Sequence, residues 1–409
     1  MTTLCIILFV IGVFLWYKTA KLYTTPINHV NLFSLTWLSI LIGSIFFTLD
    51  FVVMPKTYLI LIGSWIFFLL GSLRLKSAKD IEPVPIDYNL KRVKIILYVL
   101  IVLSFFAYLS SLGDIIYRIT DINEWASLRS EQTFAEATSE NIFYTLFARN
   151  YSIYMPIAIF LFLKGELNKK IFYLIFIYGL ITSIINFSRG PLLEFVLVSF
   201  VSYMLIKRTK NIPIIKVLLV IIGFVLIFSY SQSVLFSLNE YSVFDANYQV
   251  KMYLFGGVNN YQLILDGLYP DNNVYSSPFY SFDFINYILK KMEIINSYPN
   301  QVREFNDFTD SNVYTYLDAF TLDFGILGAF LGSFLIGFIC KKIYFCYEKY
   351  RSILYLIIYS LLCCFSVFTF INNEYIRFSF LLFVIKIFII EKIIKMPRFV
   401  YYNKQDINQ

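Results

Sequence analysis

The residues best placed to do chemistry in this chain stand at the ends of long apolar runs. Ser188-Arg189-Gly190-Pro191-Leu192-Leu193-Glu194 lies between two such runs. Pro191 suits the first turn of a helix, so Arg189 and Gly190 stand beside exposed backbone N–H groups and the positive end of a helix dipole. A phosphate is the ligand such a place accepts. Glu194 follows about one turn inside the apolar run, where an ionisable group is costly and is either paired or functional. The plainer alternatives are a boundary arginine that snorkels to lipid headgroups and a structural Arg–Glu pair.

A second group runs Asn312-Val313-Tyr314-Thr315-Tyr316-Leu317-Asp318-Ala319-Phe320-Thr321-Leu322-Asp323-Phe324-Gly325. Asp318 and Asp323 fall near the start of the next apolar helix, where a helix dipole favours the ionised carboxylate. An ionised carboxylate can take a proton from a hydroxyl; it can equally cap a helix while the tyrosines anchor at a membrane interface. Behind them Gly325, Gly328, Gly332 and Gly337 form a small-residue stripe whose simplest use is close helix packing. Arg118, Arg129, Arg149, Arg189, Arg303 and Arg377 fall on one side of the bundle in the topology below. A planar guanidinium grips two phosphate oxygens at once, so converging arginines would suit a pyrophosphate, although any single one is more simply a surface charge.

These groups must be positioned by helices. Of 409 residues, 58% are apolar and only 15% charged, against roughly 45–50% and 25% in an ordinary soluble domain. Aromatic residues make up 20%, which suits surfaces against lipid and its interfaces. A cytosolic enzyme, a disulfide scaffold and a nucleic-acid-binding domain are excluded by this composition. Apolar runs at 2–17, 30–49, 57–73, 95–112, 142–163, 171–187, 191–206, 214–231, 321–339, 353–370 and 378–390 predict an all-α polytopic membrane protein of about 11 transmembrane helices. The N-terminal run lacks a basic flank and a cleavage signal, and reads as a retained first helix.

The connections after the first, third, fifth, seventh, ninth and last runs carry most of the Lys residues, from Lys18 and Lys21 to Lys392 and Lys395. Basic connections stay in the cytoplasm, so the N-terminus is placed outside and the C-terminus inside. The resulting division is a bundle of eight helices over 1–231 with a minor outer loop at 113–141, a large extracytoplasmic loop at 232–320, and a second bundle of three helices with a cytoplasmic tail over 321–409. Within the large loop, Phe279, Phe282, Ile285, Tyr287, Ile288 and Met292 recur at helical spacing and predict an amphipathic helix that lies on the membrane or caps the bundle. His29 is the only histidine and falls in the first cytoplasmic connection, so an outer site would have no histidine base and no histidine-bound zinc. P-loop, dinucleotide and serine-hydrolase motifs are absent from the sequence. None of the five cysteines lies in a long polar segment, and no extracytoplasmic disulfide is expected.

Taken with its architecture, the Ser188-Arg189-Gly190 opening of an inward helix and the Tyr-Thr-Tyr…Asp-Phe-Gly…Gly stretch from Tyr314 to Gly328 resemble the Wzy-type polymerases of bacterial O-antigen and capsule. The resemblance spans most of the chain as architecture and two short motifs as sequence. It implies an inner-membrane glycosyltransferase of the GT-C-like, lipid-linked-donor class, facing the periplasm and needing no metal or other cofactor. Such an enzyme would move a growing glycan from undecaprenyl pyrophosphate to the non-reducing end of a new lipid-linked repeat unit, beside a chain-length regulator and a flippase and with no nucleic-acid partner. On this reading Arg189, Gly190, Arg303 and Arg377 bind the pyrophosphate, Asp323, Asp318 or Glu194 supplies the catalytic carboxylate, and Tyr314 and Tyr316 meet the acceptor sugar. O-antigen ligases look similar in outline but use a histidine in an outer loop, which this chain lacks there. A flippase or secondary transporter for the same lipid-linked oligosaccharides is the alternative from another class; transporters show internal repeats and several deep ionisable groups, of which Glu194 and Lys386 are the candidates here.

Overall fold

Inside an apolar medium a helix satisfies its own backbone, and this chain folds accordingly. The computed structural model describes residues 2–46, 53–74, 77–119, 146–185, 189–208, 246–268, 280–295, 313–371 and 373–395. Among them are twelve α-helices: α1 Thr2–Ala20, α2 His29–Phe46, α3 Pro55–Ser72, α4 Leu90–Ile119, α5 Tyr151–Leu163, α6 Lys169–Ile185, α7 Arg189–Lys207, α8 Ala246–Leu265, α9 Asp283–Lys291, α10 Leu317–Tyr350, α11 Ile353–Phe368 and α12 Phe378–Ile394. Six of them, α1, α2, α3, α4, α7 and α10, are long and apolar enough to cross a membrane. The run predicted at 214–231 lies outside the described residues, and α4 continues as helix to Ile119, through the first residues of the predicted 113–141 loop.

α11 is buried on every side, with Leu356 to Ser366 all shielded. It touches α2, α5, α7, α10 and α12, so the bundle is arranged around it. Ser352 caps its start by accepting the Tyr355 N–H. The tightest pairing is between α3 and α10, where glycines let backbones meet: a Cβ on Gly71 would lie 2.1 Å from the Phe334 carbonyl oxygen, and one on Gly337 would lie 2.2 Å from that of Phe68. Phe33 and Phe68 stack at 3.7 Å between ring centroids, with Tyr316 set edge-on to Phe33.

The six basic connections gather at one end of the bundle. Ala78 N–H donates to Leu22 O, Val84 N–H to Lys349 O, and Asn89 N–H to Ile394 O. Lys94 donates to Glu166 O, and Arg208 pairs with Glu348 at 3.1 Å. Glu348 is buried; it also pairs with Arg351 and accepts from Thr24 Oγ1 at 3.1 Å. At the same end Glu391 is buried among Tyr88 Oη, 2.7 Å away, Ser352 Oγ, at 2.8 Å, and the Leu354 N–H. A carboxylate held this way is worth more than a neutral hydrogen bond. Tyr88→Phe is therefore expected to cost about 1.5–3 kcal/mol, read as a lower unfolding temperature in detergent; a wild-type melting profile would show that the contact carries nothing.

His29, placed by sequence in a connection, instead starts α2 and is fully buried at this basic end. Its ring lies 2.9 Å from Tyr359 Oη through Nδ1 and 3.4 Å from Tyr23 Oη through Nε2. It is a satisfied core histidine.

The largest departure from the sequence expectation is α10. It begins at Leu317, not 321, and breaks at Gly325, whose φ of 63° and ψ of −161° belong to a region that is essentially glycine's alone. Beyond the break the chain folds back. Tyr316 Oη and Ser333 Oγ are 2.7 Å apart, and a Cβ on Gly328 would lie 2.3 Å from Phe320 O. On a straight helix residues 316 and 333 would be separated by roughly 25 Å. The limb Leu317–Phe324 thus packs against the first turns of the limb that starts at Ile326, and Gly328 and Gly332 are the small residues that admit it. The expected small-residue stripe is a packing surface, serving this hairpin at Gly328 and Gly332 and α3 at Gly337.

Candidate functional site

The end opposite the basic connections holds a cavity of about 100 Å³ between α5, α7, α11 and α12. Its ionisable lining is Arg149, Glu194, Glu374 and Lys386, set among Leu361, Phe365, Phe380 and Phe383. Three of the four charges are brought there at or near helix ends. Arg149 lies two residues before α5, Glu194 lies little more than one turn into α7, and Glu374 sits in the short 3-10 turn Glu374–Ile376 between α11 and α12. Lys386 is held halfway along α12.

Ser152 Oγ donates to Glu194 Oε1, from the facing turn of α5. Arg149, Glu374 and Arg377 all lie within Coulombic reach of that carboxylate. Glu374 and Arg377 pair at 3.1 Å. The Lys386 ammonium donates to Leu146 O and to Asn150 Oδ1, the latter at 2.8 Å, and stands 5.4 Å from the Phe147 ring centre and 5.8 Å from that of Phe383. An ammonium has three N–H donors, so these two acceptors do not exhaust it. Asn150 is wholly buried, yet its Nδ2 has no partner among the described residues, and a buried donor left in that state is destabilising. Two cations, two half-buried carboxylates of which Glu374 is already paired to Arg377, and an unsatisfied donor close by could receive an anionic group with a hydroxyl beside it.

Of the residues singled out from sequence, Glu194 is in the cavity wall and Arg377 beside it. Gly190 lies one turn before Glu194 on the same helix face, at the start of α7. Arg189 opens α7, but its side chain lies outside the described residues, as does the whole of Arg303. Asp318 and Asp323 lie in the hairpin and not in the cavity. Asp318 is buried and accepts from Thr315 Oγ1 at 2.5 Å. Asp323 accepts two backbone N–H groups, Tyr280 at 2.7 Å and Ser281 at 2.6 Å, one on each oxygen. That arrangement fixes a chain segment and takes one lone pair on each oxygen.

Tyr314 and Tyr316 are 4% and 1% exposed, so neither offers a ring face to a sugar. Their backbones run beside the end of α11: Tyr314 N–H donates to Ile371 O and Tyr316 N–H to Thr369 O. In the same region Asn260 Nδ2 donates to Val313 O, and Tyr261 Oη lies 3.0 Å from Thr321 Oγ1. Residues 255–264 of α8 are buried, so part of the predicted outer loop is a helix sealed against the bundle. Sequence reasoning named Arg149 only among the outer arginines and Lys386 only as a deep ionisable group, and missed Glu374 altogether. Lys386 carried a usable signal, a lysine inside an apolar run; Glu374 carried none.

Fold and site together define a polytopic helical membrane protein with an ionisable cavity at one end of its bundle. Comparisons with protein-family models, with curated proteins and with solved structures return no match.

Proposed function

We propose that this chain is a bacterial inner-membrane glycosyltransferase, with about eleven spans in a GT-C-like arrangement, that polymerises undecaprenyl-pyrophosphate-linked oligosaccharide repeat units of O-antigen or a related surface polysaccharide. The observation that carries the reading is the cavity whose wall holds Arg149 and Lys386 together with the half-buried Glu194. By the positive-inside rule the basic end is cytoplasmic, which turns this cavity to the periplasm.

In the proposed reaction the bond between the donor sugar's anomeric carbon and the pyrophosphate oxygen breaks. The electron pair leaves with undecaprenyl pyrophosphate, whose charge Arg149, Lys386 and Arg377 stabilise. The acceptor hydroxyl oxygen bonds to the anomeric carbon as Glu194 takes its proton, and Ser152 holds the carboxylate in place. A pyrophosphate leaving group needs no general acid, so one base and a cationic clamp suffice. Glu194 is preferred over Asp318 and Asp323 because it alone of the three shares a cavity with cations.

The test is to hold the purified protein in lipid nanodiscs, supply repeat-unit lipid extracted from the host, and resolve the glycolipids by size. A ladder spaced by one repeat unit is expected without any added nucleotide or ion gradient. Unchanged monomer from folded protein would sink the polymerase reading. The flippase reading draws on the broken helix at Gly325 and on ionisable groups inside apolar helices. It predicts instead that the same lipid crosses a vesicle membrane without growing.

A further inference from the structure

The helix α9, Asp283–Lys291, is amphipathic in the reverse of the usual sense. Its polar Asn286 is fully buried, as is Ser281 just before it, at 5% exposure. Phe284, Ile288 and Met292, at i, i+4 and i+8, form one stripe on the outside and are 39%, 47% and 63% exposed. Ile294 beyond the helix is 61% exposed. A surface helix in water shows the opposite pattern, with the apolar stripe against the protein. Such a stripe suits an apolar medium rather than water.

The exposed stripe is continuous with a further exposed apolar surface. Phe282 meets Phe324 edge-on at 6.3 Å, and Phe324, Ile326 and Leu327 at the tip of the α10 hairpin are 52%, 46% and 72% exposed. From there Leu331, Leu335 and Ile339 carry the exposed apolar surface down a helix long enough to span a bilayer. The join is held by Asp323 through the Tyr280 and Ser281 N–H groups. Lys290 and Lys291 in the last turn of α9 suit the phosphate layer of a membrane.

We propose that α9 is an interfacial helix, its Phe284–Ile288–Met292 face sunk into the outer leaflet of the bilayer and its position set by Asp323 at the hairpin tip. Asp323 is then a positioning residue. The occupant of the exposed face is the bilayer itself, whatever reaction the cavity performs.

The experiment uses full-length protein with Cys5 and Cys346 changed to Ser, the buried cysteines kept, and a fluorophore attached at Ile288→Cys or Met292→Cys. It is placed in nanodiscs of phosphatidylethanolamine and phosphatidylglycerol, with a label at the exposed loop position Glu166→Cys as the aqueous reference. Nitroxide-bearing acyl chains are expected to quench both helix labels, and iodide quenching there is expected to be about fivefold or more weaker than at the reference. Iodide access equal to the reference at both positions would overturn the proposal. Shielding from both quenchers would overturn it too, because protein would then cover the face. Asp323→Ala is expected to raise iodide access at position 288 about threefold or more without changing the reference; unchanged access would remove Asp323 from the positioning role.

Discussion

Glu194→Gln is expected to lower polymer formation by about 10²–10⁴-fold while leaving the protein folded and membrane-bound. The amide keeps an oxygen that can accept from Ser152, so the contact between α5 and α7 survives and only the proton-accepting charge is lost. Arg149→Ala and Lys386→Met should each reduce turnover as well, since each withdraws positive charge from the place where the leaving group becomes more negative. The measurement is the rate of ladder growth in nanodiscs at saturating repeat-unit lipid, beside a melting curve for every variant. A Glu194→Gln protein that polymerises at the wild-type rate would show that the carboxylate is a structural partner of Ser152. The proton acceptor would then have to be sought elsewhere.

The second large effect is on stability. Gly325→Ala is expected to destabilise the fold by about 1–3 kcal/mol, because a Cβ forces its strained backbone out of a region that other residues avoid. Nothing lies within 4 Å of the position a Cβ would take, so the penalty is one of backbone conformation and not of crowding. Gly328→Val should cost more, since its side chain would be driven into the Phe320 carbonyl of the opposite limb. Unfolding temperatures in detergent test both. If Gly325→Ala melted with the wild type, the backfolded limb would not depend on this turn. The hairpin also brings Asp323 to the start of α9, so loss of the turn is expected to free that helix together with the limb.

The two sets of acidic residues show what a sequence can and cannot reveal. Asp318, Asp323 and Glu194 looked alike as carboxylates near the ends of apolar runs. Their different settings became visible only once α5 and α12 were seen beside α7, and the hairpin beside Tyr280. Tyr314 and Tyr316 read as interface rings because aromatic residues gather at membrane surfaces. They are buried because the extended segment Val313–Thr315 threads between α8 and the end of α11.

The sequence by itself determined that the chain is helical and where most of the apolar helices of the described residues lie. A helix closes its hydrogen bonds within one short segment, so composition and length suffice to locate it, and lysines mark alternate connections. The gathering of all six basic connections at one end agrees with that alternation. The tertiary structure alone decided which helices touch, where α10 turns back, and which charges share a cavity. In lipid the face that meets another helix is nearly as apolar as the face that meets acyl chains, so partner choice rests on small residues and shape rather than on a hydrophobic stripe. Arg149, Glu194 and Lys386 are far apart in the chain, and only the packing of α5, α7 and α12 around α11 brings them to one place.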